Sequence, residues 1–384
     1  MDLTYSAPDE EFRQEARSWL RAHVPAVPLP SGDTRSGFAE HVQWERQLNA
    51  DGWSVVSWPK EYGGRDADLW RWLIFEEEYY RAGAPQRVTQ NGIFLLAPTL
   101  FRFGTPEQRD RILPRMAAAE DLWCQAWSEP GAGSDLASLI SRATRDEAAG
   151  GWILNGLKTW STRGAFCTHA FGLFRSIPPA DSERPRHRGL TYFLVPLDAP
   201  GVTVRGFSRL DGDEGFADLF FRDVFVPDRD VLGDVHDGWR VAMATTGSER
   251  GLTLRSPGRF RESFDRLSDL ARARPGGVDA RLADRLVSCW LDVEAYARYT
   301  EQTITRIVEG SDVGAQSSLN KLHWSEMDIR LQELALELLG PDAQLDGPWT
   351  RSYQFSLAGP IYAGTNEIQR DIVAERLLGL PRGR

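Results

Sequence analysis

The chain has 384 residues, 41% of them hydrophobic and 26% charged, with a formal net charge of −10. That balance belongs to an ordinary globular protein and argues against a nucleic-acid binder, which shows a basic face. Three cysteines without a CxxC and six histidines without an HExxH imply no disulfide framework and no metal site. The acidic start "MDLTYSAPDEEF" is not a signal peptide, and no run approaches the ~20 apolar residues of a membrane span, so a cytoplasmic location is expected.

Residues 1–122 read as a helical domain. "SAPDEEFRQEARSWLRAHVP" offers Ser6 as N-cap, Pro8 in the first turn and acids behind it, with Phe12, Ala16 and Leu20 at helical spacing. "GTPEQRDRILPRMAAAE" repeats the device: Thr105 as cap, Pro106 first in the helix, Gln108 closing a capping box. "WPKEYGG" (58–64) reads as a turn, and "QNGIFLLAPTLFRFG" (90–104) as an apolar helix suited to core packing or to an acyl pocket. Residues 123–232 change period: "WILNGLKTWST", "GLTYFLVPL", "GVTVRGF" and "ADLFFRDVFVP" predict a small antiparallel β domain, with a hairpin turn at Asn155-Gly156. Residues 233–384 return to long amphipathic helices, which predict a four-helix bundle. The fold class is therefore α+β, helical then β then helical, without internal repeats.

"CQAWSEPGAGSDLASL" (124–139) is glycine-opened, yet it lacks the third glycine and the βαβ setting of a dinucleotide fingerprint. Its Ser128 and Ser134 hydroxyls suit polar ligand edges or phosphate, or simply a turn. A second break, Gly-Thr-Asn, lies in "GPIYAGTNEIQRDIVAERLLGLP" (359–381), between an apolar run and an amphipathic tail.

Four segments in order, "WSEPGAGSD", "GLKTWST", "FVPDRDVLG" and "YAGTNEIQR", make a specific pattern that resembles the acyl-CoA dehydrogenase family of FAD flavoproteins over essentially the whole chain. The resemblance implies that the Gln125–Trp127 backbone and the Ser128 hydroxyl face the flavin, and that Ser134 lies near the pyrophosphate and the thioester. It implies that Trp160 stacks at the ring and that Thr162 bonds at N5, while Thr365 and Glu367 hold the ribityl–pyrophosphate part. Taken alone, a tryptophan is more often core and Thr162 an ordinary strand residue. Their co-occurrence within the pattern lifts them.

The implied reaction is α,β-dehydrogenation of an acyl-CoA: a carboxylate takes the α-proton and the β-hydride goes to flavin N5. Many relatives carry that base between the Tyr and Gly of the last motif, where this chain has Ala363. Others carry it on a preceding helix just before an arginine, which Glu249-Arg250 matches; the alternative is a solvated acid paired with Arg250 or Arg255. Ser134, Arg250, Ala363 and Gly364 would then border the substrate. This arrangement resembles a subclass of steroid side-chain and other bulky acyl-CoA dehydrogenases.

Two departures stand out. "ARARPGGVDARLADR" replaces the usual Arg-x-x-Phe-Gly, leaving Arg272 or Arg274 as substitutes or as a charged loop. "ELLGPDAQL" replaces the adenine-side Gln-x-x-Gly-Gly, keeping Gly340 for a close backbone approach. Expected partners are an acyl-CoA or carrier-protein thioester, an electron-transfer flavoprotein, and further copies of the chain, with a heterotetramer as alternative. The rival functions are a same-fold flavin monooxygenase and an FAD-binding partner subunit.

Overall fold

The computed structural model describes residues 5–177, 186–249, 256–311 and 314–382. Ser6 caps α1 (Ala7–His23) by accepting a hydrogen bond from the Asp9 backbone N–H at 3.3 Å. Thr34 caps α2 (Arg35–Ala50), and "WPKEYGG" forms a tight turn over Lys60–Tyr62 before α3 (Leu69–Arg81). A π-helical turn, Asn91–Leu96, runs into α4 (Ala97–Phe103). The expected capping box opens α5 (Pro106–Ala117): Thr105 Oγ1 accepts from the Gln108 N–H at 3.2 Å while Gln108 Oε1 accepts from the Thr105 N–H at 3.1 Å.

Seven strands follow: β1 (Trp123–Ala126), β2 (Arg142–Asp146), β3 (Gly151–Thr162), β4 (His169–Arg175), β5 (Leu190–Pro196), β6 (Val202–Phe207) and β7 (Phe216–Pro227). They form one sheet in the order β1-β4-β2-β3-β7-β6, with β5 beside β4. Pairing is antiparallel except for β1 and β2 against β4. The helices α6 (Gly238–Glu249), α7 (Pro257–Ala273), α8 (Ala280–Val308), α9 (Gln316–Leu339), α10 (Pro348–Ser356) and α11 (Asn366–Ile372) complete the chain, followed by a π-helical turn at Val373–Leu377.

Asn155-Gly156 is not a hairpin turn. β3 runs through it, and the turn between β2 and β3 is made by residues 147–150, with Gly150 at φ +66°. The pair instead sits at a register shift against β7. The Asn155 carboxamide donates to Asp223 Oδ1 at 2.9 Å and accepts from the Asp223 N–H at 3.0 Å, which fixes the irregularity. A Cβ on Gly156 would lie 2.1 Å from Ser141 Oγ, so glycine serves close approach here rather than a turn.

The chain divides into two units. One contains Leu29–Asp66 and Pro85–Glu249, the other Met1–Pro28, Ala67–Ala84 and Arg250–Arg384. The first is built on the sheet, whose inner face packs Trp152, Leu154, Phe174, Phe193 and Phe221. The second is a helical bundle with Phe260, Leu267, Val293, Trp324 and Leu331 at its core. Within this bundle, α3 carries three consecutive buried acids, Glu76, Glu77 and Glu78. Arg13 of α1 reaches Glu77 and Glu78 at 3.2 and 3.1 Å, and Arg261 of α7 reaches Glu77 at 2.8 Å. Such buried acids are tolerated because each charge finds a partner.

Candidate active site

Five of the expected flavin contacts lie on the sheet unit in two short stretches, residues 125–128 and 160–162. Gln125 is in β1, opposite Phe171 of β4. Trp127 follows; its carbonyl accepts from Lys158 Nζ at 3.2 Å, and its buried indole Nε1 has no hydrogen-bond partner among the described residues. The Ser128 carbonyl accepts from the Thr159 N–H at 2.9 Å, tying this segment to β3. Trp160 and Thr162 end β3, where the strand slips register against β7 between Lys158 and Ser161. Trp160 has φ +59° and is 60% exposed, its ring held edge-on by Phe207 and Phe216 with centroids 5.2 and 5.5 Å away. A bulky residue at positive φ is a true outlier and costs about 1–3 kcal/mol. The Thr162 carbonyl meets the Asn91 carboxamide of the π-helical turn at 3.5 Å.

An ion pair missed in the sequence underlies this segment. Lys158 is fully buried, with Nζ 2.8 Å from Glu129 Oε1 and 4.9 Å from the Phe174 ring centroid. Glu129 also accepts from the Ile140 and Ser141 N–H groups at 2.7 and 2.9 Å, closing both ends of the 130–139 loop. Arg175 holds the same loop through the Ala137 and Leu139 carbonyls at 2.8 and 3.2 Å. Burial pulls the Lys158 pKa down, against the opposing pull of Glu129, to about 8. Burial alone would raise the Glu129 carboxyl, but Lys158 and the flanking donors hold it below its ordinary value. The signal for this pair was a lysine at an inward position of an otherwise apolar-alternating strand.

Ser134 is exposed on that loop, where Cβ atoms at Gly131 and Gly133 would meet nothing within 4 Å among the described residues. Beside the loop a recess of about 490 Å³ is lined by Gly131, Ile140, Arg142, Asn155 and Leu157. A larger recess of about 1200 Å³, lined by Thr105, Arg111, Arg145, Trp152 and His236, contains none of the expected site residues. Cys124 and Cys167, distant in sequence, are neighbours: the Cys167 thiol and burial together push the Cys124 thiol well above its usual range.

α6 is set on the same unit. A Cβ on Gly238 would lie 2.7 Å from the Thr191 carbonyl carbon, so its first turn rests on the β5 backbone. Thr245 Oγ1 meets Thr99 Oγ1 of α4 at 2.8 Å. Glu249 is the last residue of α6; its side chain, and all of Arg250, lie outside the described residues.

The remaining expected residues belong to the bundle unit. Ala363 stands at φ +57° and Gly364 at φ +80°, their carbonyls accepting from the buried Gln369 Nε2 at 3.2 and 3.3 Å. Thr365 caps α11, accepting from the Ile368 N–H at 3.4 Å. Glu367 is exposed in the first turn, its carboxyl held below the usual range by its own backbone N–H and by Thr365. The Asn366 carboxamide accepts from the buried Lys321 Nζ at 2.7 Å. Gly340 ends α9 at φ +60°; Glu337 is engaged by Arg281 and Arg285. Arg272 pairs with Asp269 at 2.7 Å, and Arg274 Nη1 is buried without a hydrogen-bond partner among the described residues.

An exposed indole at Trp160, a buried indole N–H at Trp127 without a partner among the described residues and a glycine-opened loop fit a planar ring with polar edges, as FAD has.

Models of the acyl-CoA dehydrogenase N-terminal, middle and C-terminal domains match residues 6–120, 124–224 and 236–378. The chain is 40% identical over 389 residues to acyl-CoA dehydrogenase IpdE1 of Mycobacterium tuberculosis, covering 97% of this chain and 98% of that protein. Among solved structures, the Tcur3481-Tcur3483 steroid ACAD matches with a TM-score of 0.88 at 26% identity, over 100% of both chains. The ChsE4-ChsE5 complex of Mycobacterium tuberculosis matches at 0.84 and 28% identity, again over 100% of both chains. The chain thus belongs to the acyl-CoA dehydrogenase family, oxidoreductases that use FAD.

Proposed function

We propose that this chain dehydrogenates an acyl-CoA thioester between its α- and β-carbons, with Glu249 as the base. The observation that carries the assignment is Ala363: the C-terminal turn has an uncharged methyl in a left-handed backbone, so the base must come from another element. Glu249 ends a helix whose other end is wedged on the sheet, and its carboxylate takes the α-proton. The Ala363 N–H donates to the thioester oxygen, stabilising charge that develops there; a donor of this kind is worth ~3–4 kcal/mol. Ser134, Arg250 and Gly364 border the substrate. Gln125, Trp127, Ser128, Trp160 and Thr162 hold the ring of FAD, while Ser134, Gly340, Thr365 and Glu367 hold the rest. When bound, FAD accepts the β-hydride.

Residues 1–122, 123–232 and 233–384 form the three family domains in this reading. The naming of a structural relative as a steroid ACAD supports a bulky acyl group. The electron acceptor is an electron-transfer flavoprotein. Assembly is a homo-oligomer, with a heteromer as the alternative that the two-protein complexes among the structural relatives support. The reading places the protein in the cytoplasm; no helix among the described residues is long and apolar enough to cross a membrane.

Anaerobic mixing with a panel of short, branched, aromatic and steroidal acyl-CoAs tests the proposal. One class should bleach the flavin of the wild type. Glu249→Gln should retain FAD and lose ~10²–10⁴-fold in the bleaching rate. An unchanged single-turnover rate ends the assignment of the base. Bleaching only by an added flavin reductant, followed by oxygen-dependent product, identifies a monooxygenase instead.

A further inference from the structure

We infer that Asp33 is a positioning residue for the flavin-facing end of β3, acting through a buried clasp with Arg163 and Arg209. The inference rests on the reading of Trp160 and Thr162 as flavin contacts. Asp33 is 5% exposed and precedes α2. Arg163 Nε lies 2.7 Å from its Oδ1, and Arg209 Nη1 lies 2.6 Å from its Oδ2. One carboxylate therefore joins two chain segments that flank Trp160: Arg163 directly follows Thr162, and Arg209 follows Phe207, one of the two rings that brace the indole.

The backbone closes the same ring of contacts. The Arg163 N–H donates to the Gly215 carbonyl at 2.9 Å, and Gly215 precedes Phe216, the second bracing ring. Thr162 pairs with Phe216 across the strands. Asp211 and Asp213 face Arg209 at 2.7 and 3.7 Å, and Ser31 donates to Asp213 at 2.5 Å, so the 208–215 loop is tied to the segment that carries Asp33.

Strain explains why such a clasp is needed. Trp160 and Arg163 stand at φ +59° and +56°, conformations that persist only where their surroundings over-determine them. Asparagine or aspartate suits a left-handed position; a long cation does not. Arg163 is only 3% exposed, and its Nη1 has no hydrogen-bond partner among the described residues. Its pairing with Asp33 is thus what holds the guanidinium, beside the backbone bonds that close the turn itself. Burial alone would raise the Asp33 carboxyl, yet the two guanidiniums outweigh it and keep the group ionised.

The full chain, stripped of FAD and titrated with it, tests this. Asp33→Asn should raise the FAD Kd at least tenfold and alter the visible circular dichroism of the bound flavin, while the KM for the bleaching acyl-CoA changes less than threefold. Arg163→Asn, suited to the same backbone, should act in the same direction and serves if Asp33→Asn does not fold. In the Arg163→Asn background, Asp33→Asn should add less than it does alone. A lowered melting temperature with unchanged FAD Kd and flavin dichroism overturns the inference, because that is a merely structural role. Trp160→Ala separates the two layers. If it alters Kd and dichroism while Asp33→Asn alters neither, the flavin reading stands and the clasp falls. If Trp160→Ala alters neither, the flavin reading falls and the inference with it.

Discussion

Gly238→Ala probes how α6 is seated. The added Cβ would lie 2.7 Å from the Thr191 carbonyl carbon, 2.8 Å from the Tyr192 nitrogen and 2.9 Å from the Leu190 oxygen. Carbon contacts settle at ~3.5–4.0 Å, so the helix must retreat by roughly half an ångström or more. The strand cannot yield instead, because Tyr192 is paired with Leu173 inside the sheet. Overpacking of this kind costs ~1–3 kcal/mol, against up to ~1 kcal/mol gained by replacing a helical glycine, for a net loss of about 1–2 kcal/mol. Glu249 lies eleven residues further along α6, roughly 16 Å at 1.5 Å per residue, so a tilt at the first turn is carried to the proposed base. A misplacement of ~1 Å costs on the order of 10²-fold in rate. Urea unfolding and single-turnover flavin reduction measure the two consequences. Gly247→Ala is the matched control: in the same helix, with nothing among the described residues within 4 Å of its Cβ, it should stabilise by ~0.5–1 kcal/mol. Wild-type stability and wild-type rate in Gly238→Ala would refute the seating argument.

Two further outcomes are expected. Lys158 titrates near pH 8 in the fold against its usual value of 10.5, so between these the folded chain has released a proton that the unfolded chain keeps. In that window this group raises the unfolding free energy with pH, by at most about 1.4 kcal/mol per pH unit, and Lys158→Met should flatten that part of a denaturation series. Thr105→Ala removes half of a capping box and should lower stability by ~1 kcal/mol, read as a shift in the urea midpoint at constant m-value.

Local rules were legible where the physics is local. Ser6 and Thr105 each satisfy an N–H three residues on, so their chemistry is written in a few letters. The change of period near residue 123 found the sheet, because alternation follows from one face being buried. Asn155-Gly156 misled for the opposite reason. The dipeptide tolerates unusual backbone angles wherever these are needed, and here a bulge held by Asp223 and Ser141 needed them. The partners in the ion pairs beneath the candidate site were out of reach, even where the inward Lys158 marked one end. Asp33 and Arg163 are 130 residues apart, and no window of sequence joins them. The π-helical turn at Asn91–Leu96 has no signal of its own, since its residues read as an ordinary apolar helix.

The bundle unit draws its helices from both ends of the chain, which bears on how the molecule is made. α1 and α3 leave the ribosome long before α7, whose Arg261 meets Glu77. At ~5–20 residues per second this wait is on the order of ten seconds or more. During it the acidic row of α3 has Arg13 and Arg17 as neighbours but not yet Arg261. The sheet unit, complete once residue 249 has emerged, can form first, and the nascent bundle can close only after the helices beyond residue 250 have emerged in turn.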